Sequence, residues 1–250
     1  MIHIGTAGWS LYKAADRFPD GGTNLERYAS VLRAVEVNTS FYRPHARSLY
    51  AKWAASTPRA FRFAVKVPQA ITHEGRLRRA RRPFERFLAE VGGLGSRLGP
   101  LLVQLPPSLD FEARVARVFF GLVRELHPGP VVCEPRHASW FTTAADDLLA
   151  RRGVSRVAAD PVAWPAARQP GGALDVVYYR LHGSPRRYWS SYDESALQSL
   201  ARQMREVRRG VDCWCIFDNT AGGGALPNAL RAVELTGSGR RLRLAGAVQG

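Results

Sequence analysis

The chain has 250 residues, 46% hydrophobic and 23% charged, and carries a formal net charge of +15. One domain of that length buries roughly three quarters of its unfolded surface, and the composition excludes a disordered or fibrous chain. No apolar run reaches the roughly 18–20 residues that a membrane-spanning helix needs.

Short apolar runs alternate with amphipathic stretches from the first residues onward. A strand at 2–5 is followed by a helix at 24–33 with Asn24 as its N-cap, then a strand at 34–38 and a helix at 46–56. The strand at 61–67 leads to a helix at 82–95 with Pro83 in its first turn. Next come a strand at 101–105, a helix at 111–126, a strand at 131–135 and a helix at 142–151 closed by Gly153. The sixth unit has a strand at 155–159 but no helix, because PVAWPAARQPGGAL between Asp160 and Asp175 holds three prolines. A strand at 176–181, a helix at 194–208 capped by Asp193 and ended by Gly210, a strand at 213–217 and a helix at 225–235 complete the series.

Eight such units predict an α/β fold of the (β/α)8 TIM-like barrel class, one domain over 1–236 with an irregular sixth βα unit. The rival is an open, doubly wound sheet. The segment 237–250 is expected to be a mobile tail. The chain opens on IHIGTAGW without the basic stretch and cleavage site of a secretory leader, so the expected location is cytoplasmic.

The positive charge is written almost entirely in arginine: among 36 basic residues only Lys13, Lys52 and Lys66 are lysines. That bias fits GC-rich coding, and it also creates a field favouring anions. The densest run, GRLRRARRPFER at 75–86, reads first as a solvated loop and helix start. The cysteines form no disulfide framework, and Cys213 and Cys215 fall on one face of a strand as small core residues.

Side chains alternate across a strand, so residues two apart share a face. In VVCEPRHASW, at 131–140, an apolar strand ends in Glu134, Arg136 and His137. Elsewhere Glu36 pairs with Asn38, Arg180 pairs with His182, Lys66 opposes Val65 and Val67, Gln104 opposes Val103 and Leu105, Asp160 ends the sixth strand, and Asp218 opposes Phe217. The aliphatic set suits the helix-facing side. The polar set then points into the barrel at the strand C-termini, where active sites of this fold lie. Such a set needs mutual pairing or a ligand, because an unpaired buried charge is costly.

Several motifs carry a resemblance: GTAGWS at 5–10, EVNTSFY at 36–42, VKVPQAITH at 65–73, QLPPS at 104–108, EPRHASW at 134–140, YRLHG at 179–183 and FDNTAGGGALPNA at 217–229. In this order they resemble the YecE-like proteins, domain of unknown function 72. The resemblance implies a TIM-like barrel with its site at the strand C-termini. It leaves activity open, between sugar-isomerase-like and endonuclease IV-like barrels. The sequence departs from the commoner family pattern at Pro135 and Asp218.

We expect acid–base chemistry from Glu36, Lys66, Glu134 and His182 on a small phosphorylated or sugar-like anionic ligand, in a hydrolase, lyase or isomerase type of enzyme. Asn38, Tyr42, His73, Gln104, Arg136, His137, Trp140, Asp160, Arg180, Asp218 and Asn219 are the expected ligand-binding set. Lys66, Arg136 and Arg180 would hold the anion, and their charge would repel a cation, so neither a metal nor another cofactor is expected. Lys66 also has the alternatives of an ion pair with Glu36 or Glu134, or a Schiff base. Aromatic residues in the βα loops, Trp9, Phe41, Tyr42, Trp140, Trp164, Tyr188 and Trp189, suit stacking on sugars or bases. A nucleic-acid-binding or nucleic-acid-processing barrel with an Arg-rich rim is the second reading. No membrane partner is expected, and the sequence does not fix an oligomeric state.

Overall fold

A computed structural model describes residues 1–162 and 164–238. The first half of the chain runs β1 (Ile2–Thr6), α1 (Asn24–Val31), β2 (Ala34–Val37), α2 (Thr39–Tyr42), α3 (Arg47–Ala55), β3 (Arg62–Lys66), α4 (Arg81–Val91), β4 (Leu98–Gln104) and α5 (Ala113–Leu126). The second half runs β5 (Val131–Glu134), α6 (Thr143–Arg151), β6 (Val154–Arg156), β7 (Ala158–Asp160), β8 (Gly171–Gly172), β9 (Val176–Leu181), α7 (Glu194–Glu206), β10 (Asp212–Phe217) and α8 (Ala225–Thr236). The expected tail falls mainly on residues 239–250, outside the described residues. No described helix is long and apolar enough to cross a membrane.

Helix starts show how local chemistry sets these bounds. Thr23, not Asn24, caps α1: its hydroxyl accepts from the Glu26 N–H, and the Glu26 carboxylate accepts from the Thr23 N–H at 2.7 Å. This reciprocal capping box satisfies two orphan donors, which Asn24 one position later does not. Asp193 caps α7 through the Ala196 N–H at 2.8 Å, as read from sequence. The helix expected over 82–95 stops at Val91, and Gly95 beyond it adopts φ 53°, outside helical geometry.

The fold is α/β with two mainly parallel sheets, ordered β1-β10-β9-β7 and β2-β3-β4-β5-β6-β8. Among the described residues only β6–β8 is antiparallel. The expectation of one closed eight-stranded ladder is corrected at two places. Between β1 and β2 there is a single bridge, Ala7 to Glu36. There the Tyr28 hydroxyl accepts from the Thr6 N–H at 2.8 Å and donates to the Ala34 carbonyl at 3.0 Å, replacing ladder bonds with a side chain. The strands come so close that a Cβ on Gly5 would lie 2.0 Å from the Ala34 oxygen. The second break is at Val157, where the chain changes partner: β6 lies on β5, and β7 lies on β9. The described residues of the connection after β7 form no α-helix. Buried Arg156 holds it instead, paired to Asp146 at 2.7 Å and donating to the Ala166 and Gln169 carbonyls.

Parity decides where the core sits. Ala34, Ala64, Leu102, Val132, Tyr178, Trp214 and Ile216 form one buried cluster among the strands. Their sequence neighbours Val35, Phe63, Val65, Leu101, Val103, Val131, Tyr179 and Phe217 belong to a second, larger cluster with the helices. Each fully buried side chain of this size contributes about 1.5–3 kcal/mol. The polar strand-end residues continue the faces of the inner cluster, since Glu36 follows Ala34, Lys66 follows Ala64 and Glu134 follows Val132.

Candidate functional site

Arg180 on β9 is the hub, 1% exposed. Its Nη2 reaches Glu36 Oε1 at 2.6 Å, its Nε reaches both Glu36 oxygens at 3.0 and 3.1 Å, and its Nη1 reaches Glu134 Oε2 at 3.0 Å. Nη2 also lies 3.1 Å from Asp218 Oδ2. Tyr178, two residues earlier on the same strand face, donates its hydroxyl to Glu36 Oε2 at 2.9 Å. These contacts occupy the guanidinium with three carboxylates, so Arg180 organises the site and leaves little to offer a ligand.

His182 spans two of the same acids. Its Nδ1 is 3.0 Å from Asp218 Oδ2, and its Nε2 is 3.0 Å from Glu134 Oε1. The ring donates in both contacts only when both nitrogens carry protons. Arg136 adds a second cation to Glu134 Oε1, through Nε at 3.2 Å and Nη2 at 3.1 Å. Burial alone would raise the Glu134 carboxyl, but Arg136, Arg180 and His182 outweigh it and hold the group well below the usual carboxylate range. Burial likewise works against the charge on Asp218, and Arg180 and His182 keep that carboxyl lowered. Burial opposes the charges on Arg136 and Arg180 as well, and their carboxylate neighbours raise both.

A second group of polar side chains is left out of this pairing. Lys66, at the end of β3, is 7% exposed, and its ammonium makes no hydrogen bond or ion pair among the described residues. Its ammonium lies 3.9 Å from the centroid of the Phe41 ring. Burial first, then the neighbouring Arg180 charge, lower its pKa from 10.5 to about 8, with Glu36, Glu134 and Asp218 only partly restoring it. The ion pair of Lys66 with Glu36 or Glu134 that the sequence suggested is therefore absent, because Arg180, Arg136 and His182 take those oxygens. Beside Lys66, Asn38 at the end of β2 has a buried Oδ1 without a partner. Gln104 at the end of β4 is 5% exposed. Strands β2, β3 and β4 are neighbours in that order, so Asn38, Lys66 and Gln104 form one arc.

The remaining expected residues divide. His73 packs on Phe41 at 4.8 Å, and after burial itself, Lys66 and Arg136 lower its pKa, which places it at the same mouth. Tyr42 stands exposed at the rim, and Tyr188 packs on His182 at 5.6 Å. Four other expected residues are engaged in contacts within the fold. Trp140 is 1% exposed and donates its indole N–H to the Leu109 carbonyl, so it is core. The His137 ring accepts from the Ser139 N–H and caps a turn. The Asn219 amide donates to the Ser190 carbonyl and to Asn228, fixing the loop before α8. Asp160 accepts from the Tyr192 hydroxyl at 3.0 Å. Sequence reasoning missed Tyr178, although its parity with Arg180 and His182 was the available signal.

The basic run at 75–86 lies along α4 and the loop before it, not on this cluster. Arg78 pairs with Glu112, Arg81 with Glu85 and Glu125, and Arg86 with Glu90. Among the described residues no group of three or more His, Cys, Asp or Glu side chains is arranged to hold a metal ion. The Arg180 guanidinium fills the space between the three acids.

Fold and site thus define an α/β protein of parallel sheets with a buried ionic cluster at the strand C-termini. The family model described as "Protein of unknown function DUF72" matches residues 3–248, and the chain belongs to that family. UPF0759 protein YecE of Escherichia coli K12 is 32% identical over 181 residues, a match that spans 70% of this chain and 64% of that protein. UPF0759 protein YunF of Bacillus subtilis 168 is 25% identical, with 94% of each chain covered. The crystal structure of a DUF72 family protein from Thermotoga maritima MSB8 is similar with a TM-score of 0.78 and 26% identity, covering 94% of this chain and 98% of that one. One from Enterococcus faecalis V583 has a TM-score of 0.78 at 22% identity, covering 95% and 96%, and supports the fold alone.

Proposed function

We propose that residues 1–236 form one TIM-like barrel that acts as an enzyme on a small anionic ligand, phosphorylated or carboxylated, bound where the strands end. The barrel reading is supported by the parallel strand order, the inner cluster of alternate residues and the chain continuing through Val157 from one sheet to the other. The functional reading is carried by one observation: Lys66 is a buried cation with no anionic partner among the described residues, inside a cluster where every acid is already taken. A buried charge of that kind is costly until an anion arrives.

The paired groups then have distinct roles. Glu134, held low by Arg136, Arg180 and the His182 contact, is a poor base and serves to orient His182, whose other nitrogen faces Asp218. Lys66 and the half-buried Arg136 face the ligand's negative charge, while Asn38 and Gln104 offer amides to its hydroxyls. The nucleic-acid reading rests on free arginines, and the pairing of Arg78, Arg81 and Arg86 with acids weighs against it. The test is a thermal-shift screen with phosphosugars, carboxylates, nucleotides and divalent metals. Phosphosugars or carboxylates should raise Tm in wild type, with a smaller rise in Arg136→Gln. Stabilisation by metals or oligonucleotides alone would overturn the reading.

A further inference from the structure

We propose that Lys66 is a covalent nucleophile, its amine condensing with the carbonyl carbon of an aldehyde or ketone that also carries an anionic group. This rests on the anionic-ligand reading above and narrows it to a substrate class. A lysine facing a carboxylate stays an ammonium ion, and an ammonium ion has no lone pair to donate. The three acids of the cluster are instead committed to Arg180, Arg136 and His182. What Lys66 meets is the Phe41 ring at 3.9 Å and the positive field of Arg180, which Glu36, Glu134 and Asp218 offset only in part. Burial and that field favour the neutral amine, as its pKa of about 8 indicates.

The surroundings suit a carbonyl compound with a charged end. Arg136 keeps 17% of its side chain exposed and stands near enough to act, with Lys66, on the charge of His73. It can hold a phosphate or carboxylate while the amine reacts. The unpartnered Asn38 Oδ1 can accept from a substrate hydroxyl, as an α-hydroxy carbonyl compound would supply. In the step itself, the Nζ lone pair forms a bond to the carbonyl carbon, and the C=O π pair moves to oxygen, which takes a proton. The resulting carbinolamine gives up a proton from nitrogen, closes the C=N bond and expels the hydroxyl as water after a second protonation. One water leaves for each imine formed, and no oxidant or reductant is needed.

The composition makes the test clean, because the only amines are Lys13, Lys52, Lys66 and the Met1 terminus. The full chain is incubated with dihydroxyacetone phosphate or pyruvate and sodium cyanoborohydride, and the adducts are mapped by peptide mass spectrometry. At neutral pH a lysine with a pKa of about 8 holds on the order of 100-fold more free amine than an ordinary one. One adduct on Lys66 is therefore expected, forming on the order of 100-fold faster than on Lys13 or Lys52, and slowed by inorganic phosphate. Lys66→Arg, which keeps the charge, should lose that adduct and retain the Tm rise given by phosphate. Adducts spread evenly over the lysines, or an unlabelled Lys66 while either compound still raises Tm, would overturn the imine and leave the anionic-ligand reading standing. No adduct together with no anion-induced Tm rise would remove both.

Discussion

Replacing Lys66 with methionine should stabilise the free protein. Methionine keeps the length of the side chain and removes the charge. In the folded chain the ammonium is desolvated and unpaired, and its pKa falls from 10.5 to about 8. That drop corresponds to about 3 kcal/mol at pH values where the group is charged in both states. Contact with the Phe41 face returns about 1 kcal/mol of this. Lys66→Met should thus gain about 2 kcal/mol, or about 4–8 °C in Tm for a chain of this size. The sign follows from proton counting. Between about pH 8 and 10.5 the unfolded state binds more protons at Lys66 than the folded state, so wild-type stability rises with pH across that window. Below pH 8 the penalty is present in full; towards 10.5 it disappears. Paired urea titrations of wild type and Lys66→Met at about pH 6.5 and 10 cancel the other titrating groups. The gain should be large at the lower pH and shrink at the higher one. A variant less stable than wild type at pH 6.5 would show that Lys66 is held by a favourable partner, and the case for an open cation would fail.

Arg180→Met should cost about 3–5 kcal/mol in urea unfolding, because it strands Glu36, Glu134 and Asp218 without their shared cation; a loss under 1 kcal/mol would mean the cluster is hydrated. Tyr28→Phe should cost about 1–3 kcal/mol and speed amide exchange at Thr6, since that N–H and the Ala34 carbonyl both lose their partner. Phosphate affinity should weaken as pH rises through about 8, as Lys66 loses its proton, and should stay flat there in Lys66→Arg; calorimetric titrations showing equal slopes in both proteins would move the anion away from Lys66.

Strand parity made much of this site legible. Glu36, Lys66, Glu134, Arg180 and His182 each stand two residues beyond an inward-facing neighbour, and a period of two leaves no choice of face. Who pairs with whom was not legible, because it depends on which strands meet and at what height. Arg180 was read as a ligand-binding residue, yet carboxylates from β2, β5 and the end of β10 converge on it. Trp140 shows the same limit from the other side: a loop tryptophan beside charged residues looks like a rim aromatic until its N–H is found on the Leu109 carbonyl. The break between β1 and β2 was hidden because its cause, the Tyr28 hydroxyl, lies on a helix. Thr23 and Asn24 are both good caps, and only the Glu26 contact decides between them.

The ionic cluster also sets an order on assembly. Glu36 and Glu134 belong to the six-stranded sheet, whereas Arg180, and Asp218 just beyond β10, belong to the four-stranded one. Arg180 and Glu36 are separated by 144 positions, so their contact carries a large loop-closure cost. During synthesis β2 and β5 leave the ribosome well before β9, so their two carboxylates precede the guanidinium that pairs with them. Until it does, those acids must stay hydrated or protonated, which keeps that end of the six-stranded sheet from drying. Bringing this end of the two sheets together then becomes a late event in which water leaves as the guanidinium enters.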